Sequence, residues 1–304
     1  MSAVGAIDCG TNSIKLLIGD LPDVAVRESR VVRLGAGVDT TGELSEEALA
    51  RTFDAIDEFA VLLREHDVTP DRIRFCATSA TRDARNAAVF TEGVRERLGV
   101  DVEVLSGEEE AALVYAGATR ALEPSPPDPV LVVDIGGGST ELVLGTGGTP
   151  DAAVSLDIGS VRLHERYLHD DPPTTAQTRA CAEDVDAALD GSGLDLASAR
   201  TVIGTSGTIK TLAAGLMDLP AYDRDAIDGA TPLVADTHRF VDRVLGMSVA
   251  ERLRFPWLHP GRADVIGAGA LIWSRVLART RAERYVVSEA DILYGIAWSI
   301  ADPS

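Results

Sequence analysis

The stretch "VVDIGGGSTELVLG" (Val132–Gly145) decides the fold. An apolar run ends at Asp134, three glycines and two hydroxyl residues follow, and a second apolar run begins. Two apolar runs joined by a short glycine-containing turn predict a β-hairpin. The stretch "AIDCGTNSIKLLIG" (Ala6–Gly19) repeats this pattern, with Asp8 in the place of Asp134. The repeat predicts a duplicated domain with one such hairpin in each half, and two lobes that face a cleft.

Strand-like and helix-like segments are mixed along the chain, which is typical of an α/β fold. The strand-like runs are Val4–Asp8, Ile14–Gly19, Ile73–Ala77, Val102–Leu105, Val130–Asp134, Glu141–Gly145, Ala153–Ile158, Thr201–Gly204 and Tyr285–Ser288. The helix-like runs are Ser45–Arg64, Ala87–Leu98, Glu108–Ala121, Ala176–Leu189, Ile209–Met217, Asp236–Leu245, Ala263–Leu277 and Ala290–Ala301. The proline-rich "LEPSPPDP" (Leu122–Pro129) has no periodicity and predicts a linker. We therefore expect a first lobe over residues 1–122 and a second over 123–304, with the last helix free to pack back on the first lobe.

The glycine turns are suited to binding phosphate. Glycines let backbone N–H groups approach an anion, and the Ser and Thr hydroxyls add donors. An aspartate at the end of the preceding strand is placed to hold Mg²⁺, directly or through water. A tight hairpin without a ligand is the alternative, but two copies across a cleft favour phosphate. "GTSGT" (Gly204–Thr208) is a further glycine and hydroxyl turn before a helix, which is a site for an anion by the same reasoning.

Two further stretches carry candidate charged groups. "ATSATRDARN" (Ala77–Asn86) places Arg82 after hydroxyl residues, and arginine suits bidentate contacts to phosphate, although a surface ion pair is the alternative. "VLSGEEEAALVYAGA" (Val104–Ala118) opens a helix with three glutamates. Such residues usually complement the helix dipole, but beside the linker one of them could act as a general base.

The charge balance is strongly acidic, with a net charge of −20, and the only lysines are Lys15 and Lys210. Acidic residues spread over the helices discourage nucleic-acid binding and predict adaptation to molar salt, which screens their repulsion. A specific basic partner is the alternative, but no acidic block favours it. No apolar run is long enough to span a membrane, and the N-terminus lacks the pattern of a signal peptide. Cys9, Cys76 and Cys181 lack metal-binding spacing, so we expect reduced thiols and a cytoplasmic protein.

Taken in order, the motifs resemble those of the exopolyphosphatase / guanosine pentaphosphate phosphatase family, within the actin-like ATPase superfamily. The matching stretches are AIDCGTNSIKLLIGD, CATSATRDARN, LSGEEEAALVY, VVDIGGGSTEL, SLDIGSVRL, VIGTSGTIKTLAA and HPGRADVIGAGALI. They cover almost the whole chain, and all of them in this order are highly specific. The resemblance implies two ribonuclease H-like lobes around a central cleft. It also implies hydrolysis of a terminal phosphate from linear inorganic polyphosphate with Mg²⁺ as cofactor.

The resemblance also implies roles for individual residues. Glu110, which directly precedes the alanine of the Ser-Gly-x-Glu-Glu-Ala segment, is the implied catalytic base that orients and deprotonates water. The implied phosphate-binding residues are Asn12, Ser13, Arg82, Gly136, Gly137, Gly138, Ser139 and Thr140. The implied metal-binding residues are Asp134, Glu141 and Asp8. We further expect three arginines to make the cleft less acidic than the surface, namely Arg82, Arg162 and Arg262.

Other functions stay open at this point. Longer family members carry a C-terminal helical domain, and the chain stops at Ser304, so the short form is expected. The nearest alternative is hydrolysis of the 5′-γ-phosphate of guanosine pentaphosphate. A sugar or acetate kinase, a chaperone and a filament subunit share the fold, but the SGEEEA segment argues against the kinase. We expect neither nucleic acid nor membrane as a partner, and since the family is often dimeric, a homodimer is a further expectation.

Overall fold

The computed structural model describes residues 3–122 and 124–301, and the chain within them forms two compact units. The first unit runs to Gly117 and takes up the chain again from Ile292, while the second unit is Ala118–Asp291. The boundary therefore lies inside a helix, Gly107–Arg120, and not at the proline-rich segment. That helix has no proline to interrupt it, so it continues past the boundary. Glu123, the expected first residue of the second lobe, lies outside the described residues.

Each unit contains a five-stranded mixed sheet. The strands are β1 (Val4–Cys9), β2 (Ser13–Asp20), β3 (Asp23–Val31), β4 (Ile73–Ala77), β5 (Val102–Val104), β6 (Val130–Ile135), β7 (Thr140–Thr146), β8 (Thr149–Leu156), β9 (Thr201–Gly204) and β10 (Val286–Val287). The order is β3-β2-β1-β4-β5 in the first unit and β8-β7-β6-β9-β10 in the second. In both, three antiparallel strands are followed by two strands parallel to the central one. The two sheets thus have the same ribonuclease H-like topology.

The helices of the described residues pack around these sheets. They are α1 (Val38–Thr41), α2 (Glu46–Glu65), α3 (Ser79–Asp83), α4 (Ala87–Leu98), α5 (Gly107–Arg120), α6 (Ser160–Tyr167), α7 (Thr175–Gly191), α8 (Gly207–Leu216), α9 (Arg224–Ile227), α10 (Val234–Leu245), α11 (Val249–Arg252), α12 (Ile266–Leu277) and α13 (Ile292–Ala301). The sequence predicts each helix of 10 or more residues. It misses α1, α3, α6, α9 and α11, because helical periodicity needs a window of about 11 residues to show.

Edge strands were the harder part of the sheet to predict. Among the described residues, β3 is the strand that the sequence misses, and β8 begins at Thr149, earlier than the predicted Ala153. Both lie at a sheet edge, and most of their side chains are partly or fully exposed. Charged residues therefore interrupt the apolar pattern that identifies a buried strand.

The topology gathers the predicted motifs at one edge of each sheet. In the first unit, Cys9 pairs with Ala77, so α3 begins beside the glycine turn that joins β1 to β2. In the second unit, Val133 pairs with Gly204, so the "GTSGT" turn begins beside Asp134. The carboxyl ends of parallel strands meet at one edge, which is where ligands bind in open α/β sheets. Each unit has its own apolar core behind this edge.

The cysteines are free and buried. Burial raises the pKa of the Cys9 thiol well above its usual range, with the neighbouring Asp8 carboxylate adding to the effect. Burial also raises the pKa values of Cys76 and Cys181 to about 12. Thiols in such surroundings are unreactive. Separately, none of the helices in the described part of the chain combines the length and hydropathy needed to cross a bilayer.

Candidate active site

The two glycine turns are closed by equivalent hydrogen bonds. The N–H of Gly10 donates to the carbonyl of Ser13 over 3.0 Å, and the N–H of Gly136 donates to the carbonyl of Ser139 over 2.9 Å. These are matching positions of the internal repeat. The repeat in sequence is therefore a repeat in turn conformation.

The residue opposite the aspartate differs in charge between the two hairpins. Asp8 pairs across the strands with Lys15, and the Lys15 Nζ lies 3.0 Å from Asp8 Oδ2. At the same position of the second hairpin, Asp134 pairs with Glu141. The first hairpin thus contains a neutral ion pair, whereas the second contains two carboxylates directly opposite each other.

Each carboxylate of the second hairpin is oriented by a hydroxyl group. Thr205 Oγ1 donates to Asp134 Oδ2 over 2.9 Å, and Ser155 Oγ donates to Glu141 Oε1 over 2.8 Å. The Glu141 side chain is buried, with 1% of its surface exposed. Like charges directly opposite each other destabilise a sheet. A positive charge near the pair offsets this repulsion.

The pair of carboxylates fits Mg²⁺. This ion binds through one or two carboxylates and fills its remaining positions with phosphate oxygens and water. The described residues contain no group of three or more His, Cys, Asp or Glu side chains that could hold a metal, so the donor set does not resemble a structural zinc site. Asp8 forms an ion pair with the Lys15 ammonium group. The metal-binding role of Asp8 stays a prediction.

Helix α6, which follows strand β8, supports the second glycine turn through backbone hydrogen bonds. The N–H groups of Ser160 and Val161, at the start of α6, donate to the carbonyls of Gly136 and Gly137 over 2.9 and 2.8 Å. In a trans peptide the N–H group points away from the C=O group. The N–H groups of the next residues, Gly137 and Gly138, therefore point to the side opposite α6. Successive N–H groups on one side of a turn form a concave site for an anion.

Close contact between this helix and the turn requires glycine at position 159. A Cβ atom on Gly159 would collide with the carbonyl of Gly137. The Thr140 hydroxyl, predicted to bind phosphate, instead donates to the carbonyl of Ile158 over 2.6 Å. The Thr140 hydroxyl thus stabilises the segment before α6. The donors available to an anion at this turn are its backbone N–H groups.

The first turn is supported in the same way by different groups. The N–H of Gly35 donates to the carbonyl of Thr11 over 2.9 Å. The N–H groups of Val32 and Arg33 both donate to the carbonyl of Asn12, over 3.1 and 2.9 Å. The N–H of Asn12 consequently points away from this supporting segment. The side chains of Asn12 and Ser13 are buried at the turn, and their role in binding phosphate stays a prediction.

The three glutamates that open α5 have different surroundings. Glu109 accepts from the N–H and hydroxyl of Ser106 over 2.9 and 2.8 Å, and the N–H of Glu109 donates back to Ser106 Oγ. This is a capping box, and the hydrogen bond from the Ser106 backbone is the main reason why the pKa of Glu109 is lowered. Glu108 is exposed. Glu110 is buried, with 7% of its surface exposed.

Arg82 lies beside Glu110. Its Nη1 donates to the carbonyl of Leu105 over 2.7 Å and lies 3.5 Å from Glu110 Oε2. Arg82 and Glu110 were assigned to phosphate binding and to the base role from separate motifs, and the first unit brings them into contact. The Glu110 carboxylate is therefore buried beside a positive charge.

Two of the predicted arginines lie at the second glycine turn or close to it. Arg162 donates through Nε to the carbonyl of Gly138 over 2.7 Å. Arg262 lies against Gly207, the first residue of α8. Burial lowers the pKa of Arg262, while the Tyr222 hydroxyl and the carboxylates of Asp134 and Glu289 oppose this effect.

Sequence reasoning missed a buried ion cluster behind the "GTSGT" turn. Ser206 caps α8 by accepting from the N–H of Ile209. One turn into this helix, Lys210 Nζ lies 3.3 Å from Asp291 Oδ2 and 3.5 Å from Glu289 Oε2. All three charged side chains are buried. The sequence offered two signals for this cluster. Lys210 is one of only two lysines in the chain, and the acidic residues Glu289 and Asp291 follow the last strand, β10.

Two ribonuclease H-like units, each with a glycine-turn hairpin on its central strand, define an α/β protein with the duplicated, actin-like fold. Residues 17–302 match the Ppx/GppA phosphatase family, and the chain belongs to that family. It is 45% identical to exopolyphosphatase 2 of Mycobacterium tuberculosis over 324 aligned residues, which cover 99% of both chains. It is 38% identical to guanosine-5′-triphosphate,3′-diphosphate pyrophosphatase of Photobacterium profundum over 68% of this chain and 42% of that protein. The crystal structure of an exopolyphosphatase-like protein, 43% identical, superposes with a TM-score of 0.94 and covers 97% of this chain and 98% of that one. The chain is therefore a phosphatase.

Proposed function

We propose that the chain is an exopolyphosphatase, which removes the terminal phosphate from linear inorganic polyphosphate by Mg²⁺-dependent hydrolysis. The observation that carries this proposal is the pair of opposed carboxylates, Asp134 and Glu141, at a turn whose peptide N–H groups point to one side. Carboxylates for Mg²⁺ and N–H donors for phosphate oxygens are the groups that phosphoryl transfer requires. The 45% identity to an exopolyphosphatase over the whole chain supports polyphosphate as the substrate.

In this mechanism Glu110 is the general base. Its carboxylate accepts a proton from the attacking water, and the Arg82 guanidinium lies 3.5 Å from this carboxylate. The peptide N–H groups of Gly137 and Gly138 stabilise charge on the phosphoryl oxygens. Such reactions depend mainly on positioning and charge stabilisation.

Asp134 and Glu141 are the residues that would hold Mg²⁺, each oriented by its hydroxyl donor. When bound, the ion supplies positive charge to phosphoryl oxygens. Among the other predicted ligands, Arg82 has a guanidinium group suited to a second phosphate contact.

The experiment that tests the base is a comparison of neighbouring glutamates. Glu110→Gln should lower kcat by about 10²–10⁴-fold, the usual contribution of a positioned base, with substrate binding retained. Glu108→Gln is the matched control, since Glu108 lies on the same helical turn and is exposed. Phosphate release would be measured with long-chain polyphosphate, guanosine pentaphosphate and ATP in molar KCl with Mg²⁺. Full activity of Glu110→Gln would remove this residue from the mechanism.

The second candidate function is 5′-phosphatase activity on guanosine pentaphosphate. It is favoured by the 38% identity to guanosine-5′-triphosphate,3′-diphosphate pyrophosphatase, over 68% of this chain. Release from guanosine pentaphosphate alone would support this function and leave the residue roles unchanged. No release from any of the three substrates by the wild-type protein would refute both functions.

The setting of the activity is also a proposal. Three free, buried thiols suit a reducing compartment, and we place the enzyme in the cytoplasm. We propose a homodimer without nucleic-acid or membrane partners. Sedimentation of the purified protein as a monomer at assay concentration would refute the dimer.

A further inference from the structure

The Arg162 side chain reaches the backbone of the second glycine turn. It lies in the first turn of α6, and its Nε donates to the carbonyl of Gly138 over 2.7 Å. This contact comes directly after the two in which Ser160 and Val161 hold the carbonyls of Gly136 and Gly137. Three consecutive carbonyls are thus fixed from one helix.

The third contact fixes a particular donor. Because the Gly138–Ser139 peptide is planar and trans, holding the Gly138 carbonyl toward α6 directs the Ser139 N–H to the opposite side. This is the side to which the N–H groups of Gly137 and Gly138 already point. A charged donor on the carbonyl also polarises the peptide, and this makes its N–H group a stronger donor.

The first unit provides an internal comparison. Asn12 occupies the position of Gly138 in the repeat, and two backbone N–H groups, from Val32 and Arg33, hold its carbonyl. Both units therefore fix this carbonyl, the first with backbone groups and the second with a side chain. The recurrence of the contact with different chemistry indicates that the orientation of this peptide matters in both turns.

We propose that Arg162 is a positioning residue, which aims the Ser139 N–H at a phosphoryl oxygen by holding the Gly138 carbonyl. This inference rests on the proposed function, because it assigns the oxygen to the terminal phosphate of the substrate. It gives Arg162 a different task from direct contact with the polyanion.

The test compares Arg162→Ala with Arg166→Ala. Arg166 lies one turn further along α6, 3.8 Å from the Asp184 carboxylate, so the control removes the same chemical group from the same helix. Loss of an oriented donor to a transition-state charge lowers kcat by about 10²–10³-fold. Since the Ser139 N–H stays in place but loses its orientation, we expect a kcat about 10–100-fold lower for Arg162→Ala, with a smaller change in KM. Arg166→Ala should retain wild-type values.

Two further measurements separate positioning from a merely structural role. Inhibition by orthovanadate, which mimics the five-coordinate transition state, should weaken by the same factor as kcat, whereas inhibition by inorganic phosphate changes less. Ethylguanidinium in solution should restore part of the lost rate to Arg162→Ala, and Arg162→Lys should retain an intermediate rate. A lower melting temperature with unchanged kcat and vanadate inhibition would overturn the proposal.

Amide hydrogen exchange tests the same contact without catalysis. Peptides that cover residues 136–140 should exchange faster in Arg162→Ala than in wild-type protein or Arg166→Ala, because the Gly138 carbonyl is no longer held. Unchanged exchange in this segment would overturn the positioning role even if activity fell. Absence of phosphatase activity in the wild-type protein would refute the proposed function, and faster exchange would then still show that Arg162 holds the turn.

Discussion

Replacing Glu141 by glutamine should change stability in opposite directions with and without Mg²⁺. Glutamine has nearly the shape of glutamate and keeps an oxygen that can accept from Ser155 Oγ, which lies 2.8 Å away. The substitution therefore removes the charge opposite Asp134 with little change in packing. It is a direct test of the proposal that this pair binds a cation.

The magnitude follows from the strand register. Directly opposite residues have Cβ atoms about 5 Å apart, and two unit charges at that distance repel by about 3 kcal/mol at an effective dielectric constant of about 20. The hydroxyl donors Thr205 and Ser155 already stabilise part of this charge. The substitution leaves the Thr205 bond to Asp134 unchanged and weakens the Ser155 bond. Allowing about 1–2 kcal/mol for the Ser155 bond, removal of one charge should stabilise the metal-free protein by about 1–2 kcal/mol.

The assay is thermal unfolding in EDTA and in a Mg²⁺ titration. For chains of this size about 1 kcal/mol corresponds to a shift of about 2–4 °C, so Glu141→Gln should melt about 2–8 °C higher than wild type in EDTA. Mg²⁺ at 100 times its dissociation constant should stabilise the wild-type protein by about 2.7 kcal/mol, and this gain should be reduced or lost in the variant. The order of the two melting temperatures should therefore reverse as Mg²⁺ is added.

The control is Asp151→Asn, on the neighbouring strand β8, where the exposed carboxylate accepts from Thr146 Oγ1 over 2.8 Å. It should alter neither the melting temperature in EDTA nor the response to Mg²⁺. Equal melting temperatures for wild type and Glu141→Gln in EDTA, with the same Mg²⁺ response, would refute the reasoning from opposed charges.

Two further predictions concern the turn and the charged surface. Gly159→Ala should lower kcat strongly while circular dichroism stays native, because its Cβ would push α6 away from the Gly137 carbonyl, and wild-type kcat in this variant would contradict the close contact. Hydrolysis of polyphosphate at fixed Mg²⁺ should become faster as KCl rises from dilute buffer to the molar range, because salt shortens the Debye length from about 30 to about 3 Å and screens the net charge of −20 from the anionic substrate. A rate that falls steadily with salt would mean that the acidic surface does not hinder encounter.

The prediction of the fold succeeded where the signal was local. Both hairpins, the "GTSGT" turn and the longer helices follow from glycine placement and apolar periodicity over a few residues. The edge strand β3 and the short helix α6 did not, since their residues are partly exposed or too few to form a pattern. Because α6 was not predicted, its hydrogen bonds to the second glycine turn could not be predicted either. The turn itself was predicted from its glycines.

The candidate site was predictable in residue type and less so in arrangement. Sequence resemblance singled out Glu110 from three adjacent glutamates, and the structure supplies the physical distinction, because Glu109 caps the helix and Glu110 is buried beside Arg82. Nothing in the sequence indicated that Lys15 would neutralise Asp8.

By itself the sequence determined the duplicated hairpin, the composition of its turns and the position of each aspartate at a strand end, because these depend on the backbone preferences of neighbouring residues. The tertiary structure alone decided which charges meet. Arg82 contacts a carbonyl 23 positions away in sequence, and Arg162 one that is 24 positions away. Side chains with several rotatable bonds have no preferred direction until packing brings a partner within reach. The distinction between an ion pair at Asp8 and two opposed carboxylates at Asp134 therefore arises only in the folded chain.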